Sequence, residues 1–100
     1  MKGRDNMSVS KKFVVSNKVG LHARPAAKFV KTASSFKENK VLVENLTKTT
    51  PQINGKSFTS LLSISVQQND EIMLTIEGEN AESAMEKFTE LFENKFGEEE

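Results

Sequence analysis

The stretch from Asn69 to Phe92, NDEIMLTIEGENAESAMEKFTELF, changes its period halfway along. Between Asp70 and Glu77 apolar and polar residues alternate, with Ile72, Leu74 and Ile76 on one side and Met73, Thr75 and Glu77 on the other. A period of two belongs to a strand with one buried face. Gly78 ends the run, and Asn80 stands where a helix N-cap is expected. Ala81, Ala84, Met85, Phe88, Leu91 and Phe92 then recur every three or four residues, the stripe of a helix lying on a core. A half-buried strand followed at once by an amphipathic helix calls for a sheet covered by helices on one face.

The rest of the chain extends that plan. Lys12 to Asn17 reads as a strand with Phe13 and Val15 inward, and Gly20 interrupts it. From Ala23 to about Phe36, Ala26, Phe29, Val30 and Ala33 fall on one helical face, with Pro25 in the first turn, where a missing N–H costs little. Val41 to Leu46 is a second strand, and Thr47 to Thr50 a turn. Pro51 to Asn54 reads as a weak strand at a sheet edge, because proline cannot donate to a ladder. Asn54-Gly55 marks a turn, and Ser57 to Ser65 a short helix with Leu61 and Ile64 on one face. The order β-α-β-β-α-β-α predicts an α+β fold, an antiparallel sheet with its helices on one face.

Composition narrows the chemistry. One hundred residues make one small domain. We read residues 1–10 as a polar lead, 11–96 as the domain and 97–100 as an acidic tail, with Met7 an alternative start to Met1. Fourteen basic and fourteen acidic residues cancel, so no bulk field draws the chain to nucleic acid or to an anionic membrane. No apolar run approaches the roughly 18–20 residues of a membrane span. The charged start carries no apolar leader core, so a cytoplasmic protein is expected. The absence of cysteine excludes disulfides and thiolate chemistry, and a single histidine excludes multi-histidine metal sites. No metal and no cofactor is expected.

That histidine lies in Gly20-Leu21-His22-Ala23-Arg24-Pro25-Ala26, between a glycine break and the start of a helix. His22 therefore falls at or beside the N-cap, where unpaired amides and the positive end of the dipole face outward. Such a helix start attracts anions, and Arg24 adds a planar fork suited to phosphate oxygens. A neutral imidazole nitrogen there is placed to attack phosphorus. The same position equally suits a histidine that merely caps the helix. Ser57, read from its surroundings alone, is an N-cap serine of the short helix. Phe58 and Leu62, four apart, are either a flank of the core or an exposed patch for a protein partner.

GLHARPA at Gly20–Ala26 resembles the phosphohistidine signature of HPr, the phosphocarrier family of the bacterial phosphoenolpyruvate-dependent sugar phosphotransferase system. KFVVSNKVGLHARPAAKFVKTASSF resembles the family's first strand and helix, NGKSFTSLLSI its regulatory serine segment, and NDEIMLTIEGENAESAMEKFTELF its last strand and helix. The likeness covers about residues 11 to 96.

It implies an open-faced β-sandwich, a four-stranded antiparallel sheet with three helices on one face. It implies a phosphocarrier that turns over no substrate by itself. His22 would be phosphorylated on Nδ1 by phospho-enzyme I, would pass the group to EIIA domains, and would be assisted by Arg24. Ser57 would be the target of HPr kinase/phosphorylase, with a transcription regulator as a further partner. Ala23, Arg24, Phe58, Thr59 and Leu62 are the expected docking surface of a monomer that makes brief contacts. A purely regulatory relative acting through Ser57, in catabolite control or a nitrogen-type branch, is the alternative. The chain departs from the family in two places: the Val41–Ser57 segment is longer, and Thr59 and Ser60 follow the serine.

Overall fold

The structure, a computed structural model, describes residues 8–98. The lead from Met1 to Asn6, the alternative start at Met7 and the last two residues of the acidic tail lie outside the described residues. Within them run β1 (Ser8–Val14), α1 (Ala23–Ser35), β2 (Lys40–Asn45), β3 (Ile53–Asn54), α2 (Phe58–Ser63), β4 (Glu71–Glu77) and α3 (Ala81–Glu93). A single 3₁₀ turn, Lys95–Gly97, follows α3. The expected order is therefore observed.

The strands form one sheet in the order β1-β4-β2-β3, with every neighbouring pair antiparallel. β1 and β2 run parallel, and the helix α1 that joins them crosses over the sheet. The slot between them is filled by β4, so the alternating segment Ile72, Leu74 and Ile76 becomes a central strand, buried on the helix side. Val41 and Val43 from β2 and Phe13 from β1 lie beside it.

The helices close that face with aromatic rings. Phe13 stacks on Phe92 with ring centroids 4.1 Å apart, and Phe29 of α1 meets Phe88 of α3 at 4.8 Å. These stacked and tilted contacts contribute beyond the area they bury. The apolar stripes read from sequence are the ones that pack: Ala26, Phe29 and Ala33 from α1, and Ala81, Ala84, Met85, Phe88 and Phe92 from α3.

Four local expectations change. β1 starts at Ser8, inside the stretch grouped with the polar lead, and ends at Val14 rather than Asn17. Ser8 and Ser10 pair with Glu77 and Thr75, while Val9 packs against the core. Val15 keeps backbone bonds to Asp70 O and from Asn69 N, but the Asn17 side chain donates to Gly20 O at 2.6 Å and turns the chain away.

Thr75, expected to face outward, is buried, because β4 has a neighbour on each side and its hydroxyl bonds Ser10 Oγ at 2.9 Å. The edge strand shrinks to Ile53–Asn54, since Pro51 offers no donor and the long connection from β2 turns on Thr47–Thr50 instead. Asn80 holds the N-cap position of α3 but makes no cap bond. Its backbone is left-handed (φ 64°), whereas a capping side chain reaches the helix amides from an extended residue.

Candidate functional site

His22 is the N-cap residue of α1, with extended backbone (φ −129°, ψ 161°). Its imidazole makes no cap bond, and the first turn of the helix carries no acidic residue. The helix start therefore keeps its unpaired amides and its positive field. Pro25, within that turn, is buried and anchors it to the core.

Two backbone features aim the histidine. Gly20 is left-handed (φ 65°), and a Cβ there would stand 2.2 Å from Val66 O. Only glycine lets the loop lie so close to the backbone of residues 66–67. Leu21, fully buried, then donates from its N–H to Val66 O at 3.0 Å. His22, half-buried, is presented just beyond this anchor. Ala23 has φ 54°, a left-handed conformation that costs an L-residue about 1–2 kcal/mol. A strained residue directly after the histidine, held by a buried leucine before it and a buried proline after it, is a geometry over-determined by its surroundings.

Arg24 sits in the first turn with its side chain 80% exposed, and its Nη2 contacts Glu98 Oε1 at 3.2 Å. Nothing in the apolar patterning pointed to that partner, which lies 74 residues away in sequence. Ser57 is the N-cap of α2, and its Oγ accepts from Ser60 N–H at 3.2 Å. Phe58 is 42% exposed, Thr59 is exposed and Leu62 is half-buried against the core. α2 packs beside α1, and Leu21 N–H ties the histidine loop to the segment that follows α2. Sequence reasoning passed over Val19, 47% exposed in that loop, because a lone valine carries no periodic signal.

An open-faced α+β sandwich that presents one histidine at an uncapped, acid-free helix start has the build of a histidine phosphocarrier. Residues 9–94 match the family described as the PTS HPr component phosphorylation site, and the chain belongs to this HPr family of phosphotransferase-system phosphocarriers. The phosphocarrier protein HPr of Xylella fastidiosa (strain 9a5c) is 39% identical over 85 residues, 85% of this chain and 91% of that relative. Among solved structures, HPr-C-His from Thermoanaerobacter tengcongensis superposes with a TM-score of 0.84 at 40% identity, covering 92% of this chain and 99% of that one. Crh, the Bacillus subtilis catabolite repression HPr, gives a TM-score of 0.58 at 37% identity, covering 84% of this chain and 95% of its own. Among the described residues no helix is long and apolar enough to cross a membrane.

Proposed function

We propose that His22 accepts a phosphoryl group from phospho-enzyme I in the cytoplasm and passes it to EIIA domains. The observation that supports this is the unused imidazole at the start of α1, beside amides and Arg24 that have no acidic neighbour in the first turn. In the transfer, the Nδ1 lone pair forms the new N–P bond. The donor's P–N bond breaks, and its electron pair returns to the donor imidazole. The phosphoryl oxygens then lie against the first-turn amides and the Arg24 guanidinium, which favour negative charge. Ala23, Arg24, Phe58, Thr59 and Leu62 form the docking surface. Its exposed phenyl ring and charged rim suit a small interface that dissociates quickly.

The test is labelling from phosphoenolpyruvate and enzyme I, with wild type and His22→Ala side by side. The expected label is acid-labile, base-stable and absent from His22→Ala. Label that survives mild acid, or that remains on His22→Ala, overturns the assignment.

A second reading makes the chain a regulator acting through Ser57, modified by HPr kinase/phosphorylase and read by a transcription regulator. The likeness to Crh and the place of Ser57 at the start of α2 favour it. Labelling from ATP and the kinase, with no labelling from enzyme I, is the result that would select this reading over the first.

A further inference from the structure

α1 and α3 lie side by side, with Phe29 of α1 against Phe88 and Phe92 of α3, and Phe36 against Phe88. Between them the two helices leave a groove of about 480 Å³, within the size range of small-molecule sites. Its lining is of two kinds. Phe36 of α1 and Leu91 of α3, both half-buried, supply apolar surface. Lys28 and Lys31 of α1 and Lys87 of α3, all exposed, supply charge. Lysine stems extend such an apolar floor and carry their ammonium groups to its rim.

The charge on this groove is one-sided. The chain as a whole has fourteen basic and fourteen acidic residues, yet no aspartate or glutamate lines the groove. α3 bears Glu82, Glu86, Glu90 and Glu93, and none of them is part of the lining. Lys28 Nζ is already engaged, donating to Phe96 O at 2.7 Å. Among the described residues Lys31 and Lys87 form no ion pair.

Two unpaired ammonium groups beside a phenyl ring and a leucine call for a ligand with an anionic head and an apolar body. A bare phosphate would leave the apolar floor facing water. A partner's helix would need a longer seat, because from Lys28 to Phe36 the lining spans only about two helical turns, roughly 12 Å.

We propose that this groove binds a medium-chain fatty carboxylate, its two oxygens on the Lys31 and Lys87 ammonium groups and its alkyl chain along Phe36 and Leu91. A chain of about eight to ten carbons matches the span of roughly 12 Å. The lysines act as point charges that impose no fixed geometry on the head, so chain length is read by the apolar floor. Neither His22 nor Ser57 lines the groove, so the site is separate from the phosphotransfer surface.

The experiment titrates the full, isotope-labelled chain with decanoate at low ionic strength, below the concentration at which decanoate forms micelles, and follows the amide signals. Decanoate should shift the amides of residues 28–36 and 87–91 saturably, with a Kd below about 1 mM. Lys31→Gln combined with Lys87→Gln changes two exposed side chains and should weaken binding about three- to tenfold. Added salt should bring wild type toward that double variant. Acetate and inorganic phosphate, which are heads without a chain, should give no saturable shift in the same range.

Failure of decanoate to saturate below about 1 mM overturns the proposal. Saturation by phosphate or acetate as readily as by decanoate overturns it, since the groove would then be a bare anion site. Equal affinity in wild type and the double variant overturns it as well, leaving only unspecific partition onto apolar surface. Saturable shifts confined to the Phe58 patch place the amphiphile on the docking surface and have the same consequence.

Discussion

Replacing Asp70 by Asn should cost about 2 kcal/mol at neutral pH, and the cost should shrink in acid. Asp70 is buried at the start of β4. One of its oxygens, Oδ2, accepts from Asn45 Nδ2 at 3.0 Å, from Gln67 N–H at 3.0 Å and from Lys48 Nζ. Asn45 is fully buried and also donates to Ile64 O at 3.0 Å. The carboxylate thereby joins β2, the turn after it and the segment that follows α2.

Asparagine keeps the shape and an acceptor but loses the charge. Bonds to a charged acceptor contribute about 1.5–3 kcal/mol each and neutral ones about 1. Across three donors, with Lys48 one-third exposed and free to regain water, the net loss is about 2 kcal/mol. In a chain of this size that lowers Tm by about 10 °C.

The sign with pH follows from the carboxyl. Burial pushes it up, but the bonds from Lys48, Gln67 and Asn45 and the Lys48 charge outweigh burial, so it titrates below its ordinary value of 3.8. The stabilisation is complete above the unfolded value and is lost as pH falls through the folded value. Urea unfolding followed by circular dichroism, apt for a chain without Trp or Tyr, should separate wild type and Asp70→Asn at pH ~7 and narrow the gap as pH falls below the ordinary carboxylate range. Equal midpoints at neutral pH, or a gap undiminished in acid, would refute the argument.

Gly20→Ala should destabilise by about 1–3 kcal/mol and slow phosphotransfer, because its Cβ meets Val66 O at 2.2 Å on a left-handed backbone; melting and transfer rates together check this. Ser57→Ala should lose about 1 kcal/mol by removing the bond from Ser60 N–H, measured by urea midpoint. Ser57→Asp should fold normally yet accept phosphate more slowly, with part of the deficit restored by salt; wild-type rates at low salt would leave Ser57 a cap only. Arg24→Ala should slow transfer while stability stays within about 0.5 kcal/mol, and Arg24→Lys should rescue only in part. A large fall in Tm with normal transfer would reverse the assignment of Arg24.

β4, α1 and α3 were legible in the linear sequence because hydrophobic periodicity is a local property. The place of the lone histidine at the start of α1 was legible for the same reason. Gly20, His22, Arg24 and Pro25 are contiguous, and the start of a helix is defined by a handful of neighbours.

Other features depend on partners brought from far along the chain, and only the tertiary structure decided them. Ser8–Ser10 look like a polar lead until Glu77, Ile76 and Thr75 are set opposite them. Thr75 alternates as an outward residue, but β1 and β2 close over it from both sides. Asn45, Lys48 and Asp70 carry no joint signal until the fold brings them to one oxygen. Gly97 and Glu98 read as the beginning of an acidic tail, yet they close a turn with Lys95 and Phe96. What makes it a structure is a phenyl ring buried against Phe92, a Lys28 bond to its backbone and a guanidinium 74 residues away for its carboxylate. Short-range patterning set the elements and put His22 at a helix start, whereas long-range packing and charge pairing determined what surrounds that histidine.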